Sequence, residues 1–206
     1  PEYSQSPGAT TVSSPSGLGV VDRSIESGGY PWPEMDPVSR ASHYLSWVRE
    51  FLPSYDWVTV VTTDQTELAI LTALGSRIYT INQQLTLLLA DLISCWPDHH
   101  QRFVQILAAP LAPHLRIDGF CNMAVVPTTL IVDPGRVEPR DWPHLIAHEL
   151  AHAMAQTPGH GPGFHRALDH LCVAQGLPLP PSQPELLRFW PPCQPHPQPA
   201  EFWLGN

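Results

Sequence analysis

Apolar positions recur along this chain with periods that switch between those of helix and strand. Tyr44, Leu45, Val48 and Leu52 fall on one face of a helix predicted over residues 37–52, which Pro53 ends. Residues 57–63 (WVTVVTT) are dense in β-branched side chains and read as a strand. A capped helix is expected over residues 64–74, with Asp64 as N-cap, Glu67 at the capping-box position and Gly75 as the stop. Residues 77–82 suit a second strand, although Ile78 and Ile81 also fit a helix. An apolar helix follows over 83–96, stopped by Pro97, and a further helix is expected over 99–108. Residues 124–133 (AVVPTTLIVD) read as one or two short strands, with Pro127 favouring an edge or a bulge. Asp141-Trp142-Pro143 then opens a helix over 142–156, and a last helix is expected over 163–175.

Both ends depart from this periodicity. Residues 1–38 are rich in Ser, Pro, Gly and Thr and read as an extended or disordered arm. Residues 178–206 form a Pro-rich tail in which Trp190 and Trp203 are candidate anchors. Between them, residues 39–177 are expected to form one α+β domain, a small, mostly antiparallel sheet packed on helices.

Composition narrows the classes. The 206 residues carry a net charge of −9, and all 10 basic residues are Arg. No basic run stands out, so no nucleic-acid partner is expected. No apolar stretch reaches the length of a membrane span. The four cysteines, Cys95, Cys121, Cys172 and Cys193, form no C-x-x-C pair and are expected to be thiols rather than disulfides. The expected compartment is cytoplasmic, with a processed or secreted form left open.

The candidate chemistry lies in His148-Glu149-Leu150-Ala151-His152. Four residues advance a helix by about 400°, so His148 and His152 project from one face and can offer two imidazole nitrogens to one metal ion. Glu149, beside the first histidine, is the candidate general base. Chance placement of the 11 histidines and the glutamates in this chain gives such a motif only about 0.03 times. A catalytic zinc takes three protein ligands and keeps one position open. The loop after the helix, Thr157-Pro158-Gly159-His160-Gly161-Pro162-Gly163-Phe164-His165, can turn back towards it, which makes His160 the first candidate for third ligand. His165 is the second and Asp169 the third. His144 shares the row, but it lies about 12 Å along the axis from His152 and reads as a surface residue at the helix start. His99, His100, His114, His170 and His196 read as solvated. Tyr30, Tyr79, Arg136 and Arg140 are equal candidates for an oxyanion donor, and Asp169 for a group holding a ligand histidine from behind.

The segment 148–153 (HELAHA) followed by 159–164 (GHGPGF) resembles the SprT-like zinc metallopeptidases, which carry H-E-x-x-H-A, a loop, and G-H-G-P-x-F opening another helix. The resemblance covers residues 148–170. It implies a zincin-like fold, a Zn2+ cofactor held by His148, His152 and His160, Glu149 as the catalytic base, and Phe164 as a packing residue behind the loop. The loop over 154–158 is shorter than in many relatives. The zinc ribbon and basic character of the members that act on DNA-bound proteins are absent, so a DNA-repair role does not carry over. The metzincin pattern does not fit, because position 158 is Pro, and the downstream Glu185 of a gluzincin reading sits in a Pro-rich stretch. The expected function is a zinc metallopeptidase that hydrolyses peptide bonds with a zinc-activated water and acts on a peptide or protein substrate. A strand near residues 127–132 would offer its edge to an extended peptide. The alternative is an inactive or structural zinc site in a binding module that works through its Pro-rich ends.

Overall fold

The computed structural model describes residues 34–60, 64–97 and 102–205, except positions 184, 185, 188, 189, 192 and 197. The arm over 1–33 with Tyr30, the end of the expected strand at 61–63, the Asp64 cap side chain, His99, His100 and Glu185 lie outside the described residues.

Helix α1 (Pro37–Arg49) starts where Asp36 accepts a bond from the Ser39 N–H, with Pro in its first turn. Helix α2 (Asp64–Ile93) is a single 30-residue element where two helices and a strand were expected. Its buried residues Ile70, Leu74, Ile78, Ile81, Leu85, Leu89 and Leu92 are spaced by three or four, which is one unbroken helical stripe. Gly75 does not stop it. A methyl on Gly75 would lie 1.8 Å from the Pro37 carbonyl oxygen, so the glycine lets the start of α1 cross α2 in close contact.

Strands β1 (Val104–Ala108), β2 (Gly119–Asn122) and β3 (Thr128–Val132) form a sheet in the order β1-β3-β2. β1 runs parallel to β3 and β2 antiparallel to it, so the sheet is mixed rather than mostly antiparallel. The helix expected over 99–108 is β1, whose inner residues Ile106, Leu107 and Ala108 are buried and pair with Leu130, Ile131 and Val132. Long-range pairing decides against the local helical pattern. β2 was not anticipated. Residues 57–63 do not make a sheet strand where described: a short 3-10 turn at Tyr55–Trp57 leads into a single bridge between Val58 and Leu111.

A closed set of buried bonds joins the layers. The Tyr44 hydroxyl of α1 donates to the Ala108 carbonyl at 2.7 Å, Asn82 of α2 donates to that hydroxyl at 2.9 Å, and the Ala108 N–H donates to Asn82 at 2.8 Å. Helix α3 (Trp142–Ala155) packs on β2, β3 and α2, and helix α4 (Pro162–Gln175) packs on α3. The α+β class is as expected. No helix of the described residues is long and apolar enough to cross a membrane. The four cysteines are free thiols.

The tail is part of the body. Leu187 and Trp190 are buried, and a short helix α5 (Pro199–Leu204), unanticipated, packs Phe202 and Trp203 into the core. Both tryptophans act as the anchors their sequence position suggested.

Candidate metal centre

Helix α3 buries Ile146, Leu150 and Ala153 on one face, which fixes its rotation and leaves His148 and His152 together on the other. The helix ends at Gln156, whose left-handed backbone (φ 50°, ψ 47°) turns the chain back. The five residues that follow bring His160 against the helix before α4 begins. A methyl at Gly161 would meet nothing within 4 Å, so crowding does not explain the glycine beside His160.

His148, His152 and His160 form a group able to hold a metal ion, with one ligand atom from each within 4.8 Å of the others. Their ring centroids make a nearly equilateral triangle, 5.1 Å for 148–152 and 5.0 Å for each of the other two sides. The Nε2 atoms of His148 and His160 are 3.2 Å apart. A tetrahedral ion with metal–nitrogen bonds of about 2.0–2.1 Å separates two ligand nitrogens by about 3.3 Å, so the spacing fits. Phe164 is fully buried and lies 4.4–5.0 Å from all three imidazoles, as their shared apolar support.

The protonation states suit a metal. The Nδ1 of His152 lies 2.9 Å from the Thr157 carbonyl oxygen. A carbonyl only accepts, so the proton sits on Nδ1 and the Nε2 lone pair is left for a ligand role. Burial, then the neighbouring His152 and His160, push His148 down to about 3. Burial also lowers His152 and His160. Three neutral imidazoles therefore face one another at neutral pH, in the form that binds metal.

Glu149 is buried beside β2, where a methyl on Gly119 would lie 2.8 Å from its Oε1. Burial, then the Asp118 carboxylate, push its carboxyl up to about 8, and Glu149 in turn helps to raise the Cys121 thiol to about 12.

The other candidates go elsewhere. His165 and Asp169 bind each other at 2.9 Å, and the second His165 nitrogen meets the Pro181 carbonyl at 3.0 Å, so neither residue joins the triad. Thr157, rather than Asp169, holds His152 from behind. His144 is not a free surface residue: only 15% of its side chain is exposed, 3.9 Å from Asp141 and packed on Trp190. His170 is exposed but bonds the Cys95 carbonyl at 2.9 Å. Arg136 is committed to Asp133 and to the Ile117 and Leu111 carbonyls, and Arg140 pairs with Glu138, so neither is poised as an oxyanion donor. Strand β3 lies between β1 and β2, which removes the free edge expected near residues 127–132. A cavity of about 460 Å³ lies between α3, α4 and Trp96 rather than over the triad.

Sequence reasoning missed Thr157, Gly119 and Trp190. The first two contribute a backbone oxygen and a missing side chain, which no motif encodes. Trp190 was seen as an anchor, but nothing local says that it docks on His148 (ring centroids 6.2 Å apart, planes 21° from parallel). What the geometry defines is a class, a three-histidine group able to hold a metal ion, with two members on an H-E-x-x-H helix and the third on the loop that follows. No family model, curated protein or solved structure matches the chain.

Proposed function

We propose that this protein is a zinc-dependent metallopeptidase with a zincin-like active-site helix, in which His148, His152 and His160 hold the metal and Glu149 is the general base. The observation that carries the reading is the convergence of three neutral imidazoles, two from the H-E-x-x-H helix and one from the following loop. Three imidazole donors with no carboxylate among them suit zinc or a neighbouring transition metal better than calcium or magnesium. Three protein ligands also match the catalytic rather than the closed structural pattern.

When bound, zinc supplies Lewis acidity toward a scissile carbonyl and a positive charge that favours the ionised form of Glu149. The protein does the rest. Phe164 and the Thr157 carbonyl fix the imidazole planes. Glu149, held in a site of low polarity against Gly119, takes a proton from the attacking water and returns it to the leaving amine. The loop is exposed at Gly159, Gly161 and Pro162, so a peptide approaches the triad from the His160 side.

One observation favours the second reading, a structural metal site in a binding module: a tail residue, Trp190, covers His148. Metal analysis and peptide cleavage separate the two. Wild type is expected to hold about one zinc per chain, His160→Ala to lose it, and Glu149→Gln to keep it. Zinc-loaded wild type is expected to cut members of a peptide library that Glu149→Gln leaves intact. No zinc in wild type after dialysis against it sinks the metal reading. Full loading without cleavage of any peptide leaves the structural site.

A further inference from the structure

Metal-binding histidines are ordinarily oriented by a hydrogen bond from the ring nitrogen that does not bind the ion. His152 has that bond, to Thr157. His148 does not: its Nδ1 is buried and no described group reaches it. Its ring is instead packed against two aromatic rings. Trp190 stacks on it at 6.2 Å with the planes 21° from parallel, and Phe164 meets it edge-on at 5.0 Å and 65°. The same indole packs against His144, one turn earlier, at 6.3 Å.

Trp190 is well placed for this. It is 6% exposed, and Leu187 beside it is fully buried. The segment that carries it is fastened on both sides. Upstream, His165 bonds the Pro181 carbonyl. Downstream, the Gln194 N–H donates to Asp141 at 2.7 Å, the Glu138 N–H to the Gln194 carbonyl at 3.1 Å, and the His196 N–H to the Arg136 carbonyl at 2.7 Å. Trp190 is thus held against α3 by bonds that do not involve the triad.

We infer that Trp190 is a positioning residue for the metal ligand His148, fixing its imidazole plane by stacking in place of the missing hydrogen bond. The inference rests on the three-histidine reading above. It makes the C-terminal segment part of the metal site rather than an appendage.

The test is zinc affinity of the full chain, by competition with a chromophoric chelator, together with the ligand-field spectrum of the cobalt-substituted protein. The proteins compared are wild type, Trp190→Phe, Trp190→Leu, Trp190→Ala and, as a destabilised control away from the triad, Trp203→Phe. Trp190→Ala is expected to weaken zinc binding about tenfold or more, the usual effect of losing a residue that orients a ligand. Its cobalt bands should shift. Trp190→Phe, which keeps a ring to stack, should restore affinity to within about threefold and restore the spectrum. Trp203→Phe should lower thermal stability and leave both readouts unchanged. If Trp190→Ala does not fold, Trp190→Leu carries the test, since it keeps apolar bulk and removes the ring face. Wild-type affinity and an unchanged cobalt spectrum in folded Trp190→Ala or Trp190→Leu overturn the inference. Failure of wild type to bind zinc or cobalt at all overturns the three-histidine reading instead.

Discussion

Trp203, in the last helix, donates its indole N–H to Asp133 at the end of β3, a buried bond of 3.0 Å across 70 positions of sequence. Asp133 also accepts from the Leu111 and Gly135 N–H groups and from Arg136. All four of these partners are donors, so the carboxylate organises the turn that leads from the sheet into α3. Trp203→Phe keeps most of the packing and removes one donor, and should cost about 1–3 kcal/mol. Asp133→Asn turns an NH2 group against those donors and removes the buried carboxylate from Arg136, which keeps the Ile117 and Leu111 carbonyls and Asp118 at 3.8 Å, for about 3 kcal/mol or more. Urea denaturation followed by circular dichroism checks both. An Asn variant as stable as wild type would show that the carboxylate does not hold the turn.

Gly75 makes a sharper test of packing. A methyl placed 1.8 Å from the Pro37 carbonyl oxygen meets backbone, which cannot rotate away, so α1 must shift off α2. The gain in helix propensity from Gly to Ala, about 1 kcal/mol, opposes the clash. The clash should win, for a net loss of about 2 kcal/mol. A Gly75→Ala protein with a higher melting temperature would mean that the helices do not cross there.

These two sites show what was legible in the sequence. The His148–His152 pair was readable because its geometry is set within one helical turn, and His160 because Pro and Gly around it announce a return of the chain. The α+β class followed from the alternation of periods. Gly75 was misread as a helix stop because its role depends on α1, 38 positions upstream at Pro37. The segment 104–108 was misread as helix because only pairing with β3 makes it a strand. The tail was set apart because its prolines disfavour long regular elements, yet Pro199 opens the short helix α5 and the buried aromatics dock by contacts that no local pattern specifies.

Acid should reach the triad late. The folded-state pKa of His148 lies near 3, below its ordinary value of 6.5, so the folded metal-free chain refuses a proton that the unfolded chain accepts. The stability this group contributes is complete above about 6.5 and is lost as pH falls towards 3, at up to about 1.4 kcal/mol per pH unit. Glu149 and Asp133 shift the other way, up to about 8 and about 6, mainly through burial, and they favour the folded state as acid is added. The net slope therefore mixes opposite signs, and the titration has to be followed by residue. Imidazole NMR of the metal-free protein should show His148 still neutral at pH 5. His165, raised by the Pro181 carbonyl and then by Asp169, should protonate above its ordinary value. Protonation of His148 at an ordinary pH would mean that the site is open to water.

Gly119→Ala should separate chemistry from metal binding. The three atoms nearest the added methyl all belong to the Glu149 side chain, with Oε1 at 2.8 Å, Cγ at 2.9 Å and Cδ at 3.0 Å. A carboxylate can swing aside where backbone cannot, so the stability cost should stay near about 1 kcal/mol. The triad is not touched, and zinc content should match wild type. Glu149 would be displaced from the place where, in the proposed mechanism, it takes its proton, however, and a shift of about 1 Å in a catalytic group can cost about 100-fold in rate. The expected Gly119→Ala protein is folded, zinc-loaded and nearly inactive, like Glu149→Gln, but through position rather than charge. If it cleaves peptides at the wild-type rate while Glu149→Gln does not, the carboxylate works from a position other than the one packed on β2. If both variants cleave normally, Glu149 is not the base.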